Sequence, residues 1–156
     1  MNMKSVSAFF SPILFLVLVV GGGLAIGYLT TPGDWYALLV KPGFNPPGWV
    51  FGPVWTFLYI LIAIAGWRVS RQGRRNRWPI TLLWTQLALN FLWTPVFFSA
   101  HRIGLALGIV LILLAAIIAF IAMAWSQDRS AAWLFVPYAA WVAFASVLNA
   151  SIFVLN

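Results

Sequence analysis

Five apolar runs, each close to the roughly 20 residues that carry a helix across bilayer hydrocarbon, take up most of this 156-residue chain. They cover residues 9–29, 49–67, 78–98, 103–125 and 131–155. The chain is 63% hydrophobic and 7% charged, whereas soluble domains run near half and a quarter. A soluble fold of this length has too little interior to hide that much apolar surface, so lipid must be the solvent. Spanning strands would alternate apolar and polar residues over shorter segments, and these runs do not alternate. The expectation is an all-α membrane protein, a five-transmembrane-helix bundle forming one domain over 1–156. The first run has a signal-like layout, with Lys4, an apolar stretch and then Gly21, Gly22 and Gly23. It continues to Leu29, past the length of a signal core, so an uncleaved helix is expected.

Charge sets the topology. The net charge is +7, with Asp34 and Asp128 the only acids. Arg68, Arg71, Arg74, Arg75 and Arg77 crowd the connection after the second run. On a soluble domain such a cluster would suit nucleic acid. Between two spans it orients the protein and meets anionic lipid headgroups, so membrane lipid is expected as a partner and nucleic acid is not. Lys4, the five arginines and Arg129 share one face, seven charges against Lys41 and Arg102 on the other. The excess predicts a cytoplasmic N-terminus and an external C-terminus in a bacterial inner membrane. Trp35, Trp67, Trp78, Trp125 and Trp133 sit near span ends, where indoles form interfacial belts.

The connection 30–48 is long and carries Pro32, Gly33, Pro42, Gly43, Pro46, Pro47 and Gly48. Prolines restrict the backbone, so this segment can be ordered without regular structure. Its Trp35, Tyr36 and Phe44, with Trp49 just beyond, suit either a lid over one mouth of the bundle or an ordinary surface loop.

Polar groups at membrane depth are costly and usually face the bundle interior. Gln86, Asn90, Trp93 and Phe97 fall within a sector of about 60° at 100° per residue. Tyr138, Trp141, Ala145 and Asn149 form a stripe on the fifth span, and Trp55 and Tyr59 lie one turn apart on the second. Turned inward, these faces would make an apolar cavity with a few orienting hydrogen bonds, as small-molecule sites have. Alternatively, Gln86, Asn90 and Asn149 serve only to bind helix to helix. Pro95 and Pro137 lie within spans and either widen that cavity by kinking or simply pack. Gly23 and Gly27, then Gly104 and Gly108, repeat at small-xxx-small spacing, with Ala115, Ala119 and Ala122 continuing near the face of Gly108. Such stripes serve a homodimer or packing within one chain.

Much chemistry is excluded. The chain has no cysteine, so disulfides, thiolate catalysis and cysteine metal sites are absent. His101, the single histidine, sits at a span end, where solvation is commoner than haem ligation, and no metal site is expected. No carboxylate lies within a span to relay protons. No phosphate loop or Ser-His-Asp set can be assembled. Conventional hydrolysis and phosphoryl transfer are not expected; aromatic-assisted redox or photochemistry on a bound pigment stays open as an enzymatic reading, and facilitated passage of a tetrapyrrole or sterol-like solute as a transport one.

Three motifs carry a resemblance. WYALLVKPGFNPPGWVFGPVW at 35–55 with Tyr59, QLALNFLWTPVFF at 86–98 and WLFVPYAAWVAFASVLN at 133–149 resemble, in order, the signatures of the translocator protein (TspO/MBR) family. The resemblance implies a five-helix bundle, often a homodimer, that binds tetrapyrroles such as protoporphyrin IX and haem, along with sterols and benzodiazepine-type ligands, and that requires no cofactor. It places Trp55 and Trp141 as the pocket tryptophans implicated in porphyrin binding and its proposed degradation, where they would flank the ligand. Asn90, Trp93, Ala145 and Leu148 match other pocket positions, and Tyr59, Gln86 and Tyr138 join them from the polar faces. Trp35, Pro42, Pro46, Pro47 and Trp49 match the loop that closes the pocket. Phe44 stands where the family commonly has tryptophan. The sterol pattern of animal members needs a tyrosine and a basic residue after Asn149, and ASIFVLN supplies neither.

Overall fold

A computed structural model describes residues 12–71 and 77–156. Lys4, Arg74, Arg75 and residues 9–11 of the first run lie outside the described residues. Five helices are long and apolar enough to cross a membrane: α1 (Pro12–Leu29), α3 (Gly48–Ser70), α4 (Trp78–Phe98), α5 (Ile103–Trp125) and α6 (Arg129–Leu155). A single-turn helix, α2 (Asp34–Leu38), interrupts the first connection, and no strand occurs among the described residues. The chain is an integral membrane protein of the expected class, because a helix meets its own backbone donors and acceptors where lipid offers none. Helix contacts close a ring in the order α1, α3, α6, α5, α4.

The second and fifth runs are longer than their hydropathy shows, for one reason. Asp128 caps α6, accepting from the Ala131 amide at 3.0 Å. The same carboxylate takes a forked pair of bonds from Arg68 in the last turn of α3, at 2.9 and 3.0 Å. Arg68 therefore belongs to the helix and not to the arginine loop. Asp128→Ala removes the cap and leaves Arg68 without this partner. Its expected cost is about 2 kcal/mol, since a cap contributes about 1 and a half-exposed ion pair up to about 1. Asp128→Asn, which keeps a capping oxygen, should lose about half as much. Unfolding in mixed detergent micelles measures both.

Helix α1 is not regular throughout. Val17–Gly21 forms a π turn, and the Gly22 amide lies against both Leu18 O and Val19 O. The bulge sits just before the two glycines on which α4 and α3 close in. A Cβ on Gly22 would come within 2.9 Å of the Phe91 ring, and one on Gly23 would run into the Tyr59 ring.

Both small-residue pairs divide their work. Gly23 faces Tyr59 and Gly104 faces Phe153 inside this chain, whereas Gly27 and Gly108 have nothing within 4 Å. Intramolecular packing thus accounts for the first glycine of each pair, while Gly27 and Gly108 face outward. Of the belt tryptophans, Trp78 and Trp133 are exposed, and Trp125 pairs with Trp133 beneath the Arg129 guanidinium. Trp67 is half-buried with Arg71 over its ring. Trp35 departs from the belt and packs on the bundle, as described below.

Candidate functional site

The polar faces of α3, α4 and α6 meet inside the ring. Tyr59 Oη donates to Asn90 Oδ1 at 2.8 Å, Asn90 Nδ2 donates to Tyr138 Oη at 2.9 Å, and Tyr138 Oη donates to Gln86 Oε1 at 2.8 Å. All four residues are buried. Buried polar groups need such partners, and a chain of bonds across three helices fixes their register. One turn along, Trp93 Nε1 donates to Asn149 Oδ1, and Asn149 Nδ2 donates to Ile103 O, both at 3.1 Å. The amides do join helix to helix.

They also wall a cavity. Trp55, Asn90, Trp93, Val110, Leu113, Val142 and Ala145 surround an internal void of about 10 Å³, which is room for about one water. The open cavity expected from the sequence is therefore not preformed. Aromatic rings fill it: Trp55 stacks on Tyr59 at 5.5 Å and meets Tyr138 edge-on at 6.3 Å. Trp141 lies beside Phe51 and Phe144, at 5.9 and 5.5 Å. The indole nitrogen of Trp141 and the Nε2 of Gln86 are buried without hydrogen-bond partners. A larger open groove of about 490 Å³ runs along the outer side of α6, lined by Pro42, Val147, Ala150, Ser151, Val154 and Leu155. Its one hydroxyl is already bonded to Val147 O, so it offers no aromatic or amide recognition.

Of the residues singled out in the sequence, Trp55, Asn90, Trp93 and Ala145 thus share one cavity, with Tyr59, Gln86 and Tyr138 linked to Asn90 from behind. Leu148 is buried elsewhere, in a second core cluster with Phe97, Ala106 and Ile152. Val110, Leu113 and Val142 join the wall without having been expected there. The α5 pair carries no distinguishing signal, because that helix is apolar all round.

The loop lies on this second cluster. Trp35 meets Phe97 edge-on, and Tyr36 meets both Phe97 and Phe98. Phe44 reaches Phe144, the neighbour of Trp141. The Tyr36 phenol donates to Asn45 Oδ1 at 3.2 Å, and burial raises its pKa above the ordinary range, with the Asn45 bond pulling the other way. Lys41 Nζ donates to Ala37 O and Leu39 O and sits 4.7 Å over the Tyr36 ring. Asn156 clamps the Val40 backbone through both of its side-chain atoms, each at 3.0 Å. The segment is ordered, with α2 as its one regular turn. Two expected covering residues do not cover: Trp49 is 76% exposed and Pro47 is exposed. Pro47 is the residue before α3 and Trp49 lies in its first turn. Pro42 and Pro46 are half-buried.

Fold and site together define a five-helix integral membrane protein with an aromatic, amide-bearing interior and an aromatic loop packed over one end. The chain belongs to the TspO/MBR family, whose model matches residues 14–155. It is 39% identical over 135 residues to Protein CrtK of Rhodobacter capsulatus, covering 85% of this chain and 84% of that one. It is 39% identical over 145 residues to a tryptophan-rich sensory protein of Cereibacter sphaeroides, covering 92% and 91%. It is 41% identical over 120 residues to the translocator protein of Homo sapiens, covering 74% and 70%.

Proposed function

We propose that this protein binds a porphyrin, such as protoporphyrin IX or haem, or a similar flat apolar molecule, between its helices, and so takes part in tetrapyrrole handling or stress regulation. The observation that carries this reading is the convergence of Trp55, Asn90, Trp93 and Ala145 on one cavity. Elsewhere in the bundle, two buried donors, on Gln86 and Trp141, have no partner among the described residues. Stacking on indole supplies affinity for a flat ring, and the donors supply orientation. Binding must part the rings that now fill the space, because ligand sites of this kind run to several hundred Å³. Lifting the loop segment 30–48 is the direct route. Lys41 and Arg102, on the loop side, suit the carboxylates of a porphyrin. The tetrapyrrole is ligand, not cofactor. The setting is a bacterial inner membrane, with lipid around the bundle and the N-terminus in the cytoplasm. A second copy packs along the open face of Gly108.

The test is quenching of tryptophan fluorescence by protoporphyrin IX in the dark. Saturable quenching is expected, with affinity falling about two- to fivefold in Trp55→Phe or Trp141→Phe, which keep a ring but lose stacking area and the indole donor, the equivalent of about 0.5–1 kcal/mol. Illumination of the same samples separates roles. Stable pigment supports binding or passage, whereas oxygen-dependent bleaching lost in both variants moves the assignment to a degrading enzyme. Absence of saturable quenching sinks the tetrapyrrole reading.

A further inference from the structure

His101 occupies the turn between α4 and α5 with φ at 55°, the one positive value at a non-glycine among the described residues. A side chain in the left-handed region is strained, and such strain persists where the surroundings fix it. Here the Arg102 amide donates back to Val96 O at 3.1 Å, closing the turn around His101. The result is that the imidazole lies flat on the Trp35 indole, with centroids 4.1 Å apart and planes 17° from parallel. Trp35 is the second residue of α2, the piece of the loop that rests on Phe97. His101 therefore grips the loop from the bundle side at its aromatic edge.

The chain holds one histidine and no cysteine, and histidine is the side chain whose charge ordinarily changes between pH 5 and 8. We propose that the Trp35–His101 stack is a proton-operated latch on the loop, holding it more tightly shut as the pH falls. Neutral imidazole on indole is a plain ring stack. Imidazolium on the same face adds a cation–π attraction that exists only while the two rings touch. A charged imidazole therefore favours the closed loop, and a neutral one forgoes that gain. The charges around the pair are Asp34, next to Trp35 on α2, Lys41 over Tyr36, and Arg102 on the turn itself. Facing it from α4 is the uncharged Phe97. His101 has no ion pair among the described residues. One acid against two bases, all near solvent, trims the effect. The exposed-site range of cation–π energies then corresponds to a shift of about two- to fivefold in the open fraction.

The inference rests on reading segment 30–48 as the lid of the pocket, yet it can be tested without any ligand, so failure of porphyrin binding would leave it standing. The absence of cysteine makes single thiols unique reporters. Leu39 packs against the second cluster and is half-buried, whereas its neighbour Leu38 is 84% exposed. The rate of Leu39→Cys modification by a charged maleimide, divided by that of Leu38→Cys, reports loop opening and cancels the pH dependence of the thiol. The ratio should fall about two- to fivefold between pH 8 and pH 5. Adding His101→Asn, which tolerates the left-handed turn but lacks the ring, should raise the ratio and flatten its pH profile. A flat ratio with His101 present, or an unchanged slope in His101→Asn, overturns the latch. Should Leu39→Cys disturb the loop, hydrogen exchange of the Tyr36 and Ala37 amides, both bonded to Gly33 O, gives the same reading in the native sequence, and exchange protection there that does not strengthen on acidification overturns the latch equally.

Discussion

Replacing Tyr138 by alanine is expected to lower bundle stability by about 4–6 kcal/mol, from a cavity of about 3–5 plus the loss of its hydrogen bonds. The side chain is wholly buried, packs edge-on against Phe135 and Trp55, and its hydroxyl is the central link between Asn90 and Gln86. Alanine empties the space and strands two amides in the membrane interior. Tyr138→Phe separates the two terms, because it keeps the ring and removes only the hydroxyl. Hydrogen bonds between helices in a bilayer average below 1 kcal/mol and reach at most about 2, since amides find other partners in the unfolded state. The phenylalanine variant should therefore lose about 1–2 kcal/mol. Both values come from unfolding in mixed micelles. A phenylalanine loss as large as that of alanine would show that the polar chain, not packing, holds α3, α4 and α6 together.

The residues of that chain are legible in the sequence because membranes make polarity conspicuous. An amide in an apolar run stands out, and period 3.6 then fixes its face. Gln86, Asn90 and Tyr138 lie on the faces this rule gives them, and α4 and α5 end where their apolar runs end. Partners across sequence distance are not legible. Nothing local links Arg68 to Asp128, sixty residues on, so α3 and α6 extend beyond their apolar runs. The fullness of the cavity is not legible either. Pattern tells which faces turn inward, but whether indoles stack on a ligand or on Tyr59 depends on how closely the helices approach. The direction of Trp49 likewise follows from where α3 starts its first turn, and a run of prolines and glycines does not state that. His101, by position alone, is a solvated end residue. Its exposure fits that reading, but its stack on Trp35 joins residues sixty-six apart and leaves no mark in composition or spacing.

The distance between α1 and α3 connects one sequence motif to the site itself. In Gly23→Ala the new methyl would overlap the Tyr59 ring, so ring or helix must move. The ring has little freedom: Trp55 stacks on it, Phe91 meets its edge at 6.0 Å, and its hydroxyl is bonded to Asn90. Overpacking of this kind costs about 1–3 kcal/mol. Gly27→Ala, one turn on, meets nothing within 4 Å and should be neutral or gain up to about 1 kcal/mol, as glycine-to-alanine changes do in open helix positions. Two identical substitutions in one G-x-x-x-G should thus differ by about 1 kcal/mol or more, with only the first destabilising. A separate readout ties the loss to the pocket. Whatever displaces Tyr59 also displaces the Trp55 ring that stacks on it, so Gly23→Ala should weaken porphyrin quenching and Gly27→Ala should leave it unchanged. If both variants lose stability alike, Gly27 is also covered in the membrane, and the outward glycine belongs to an interface with a second copy.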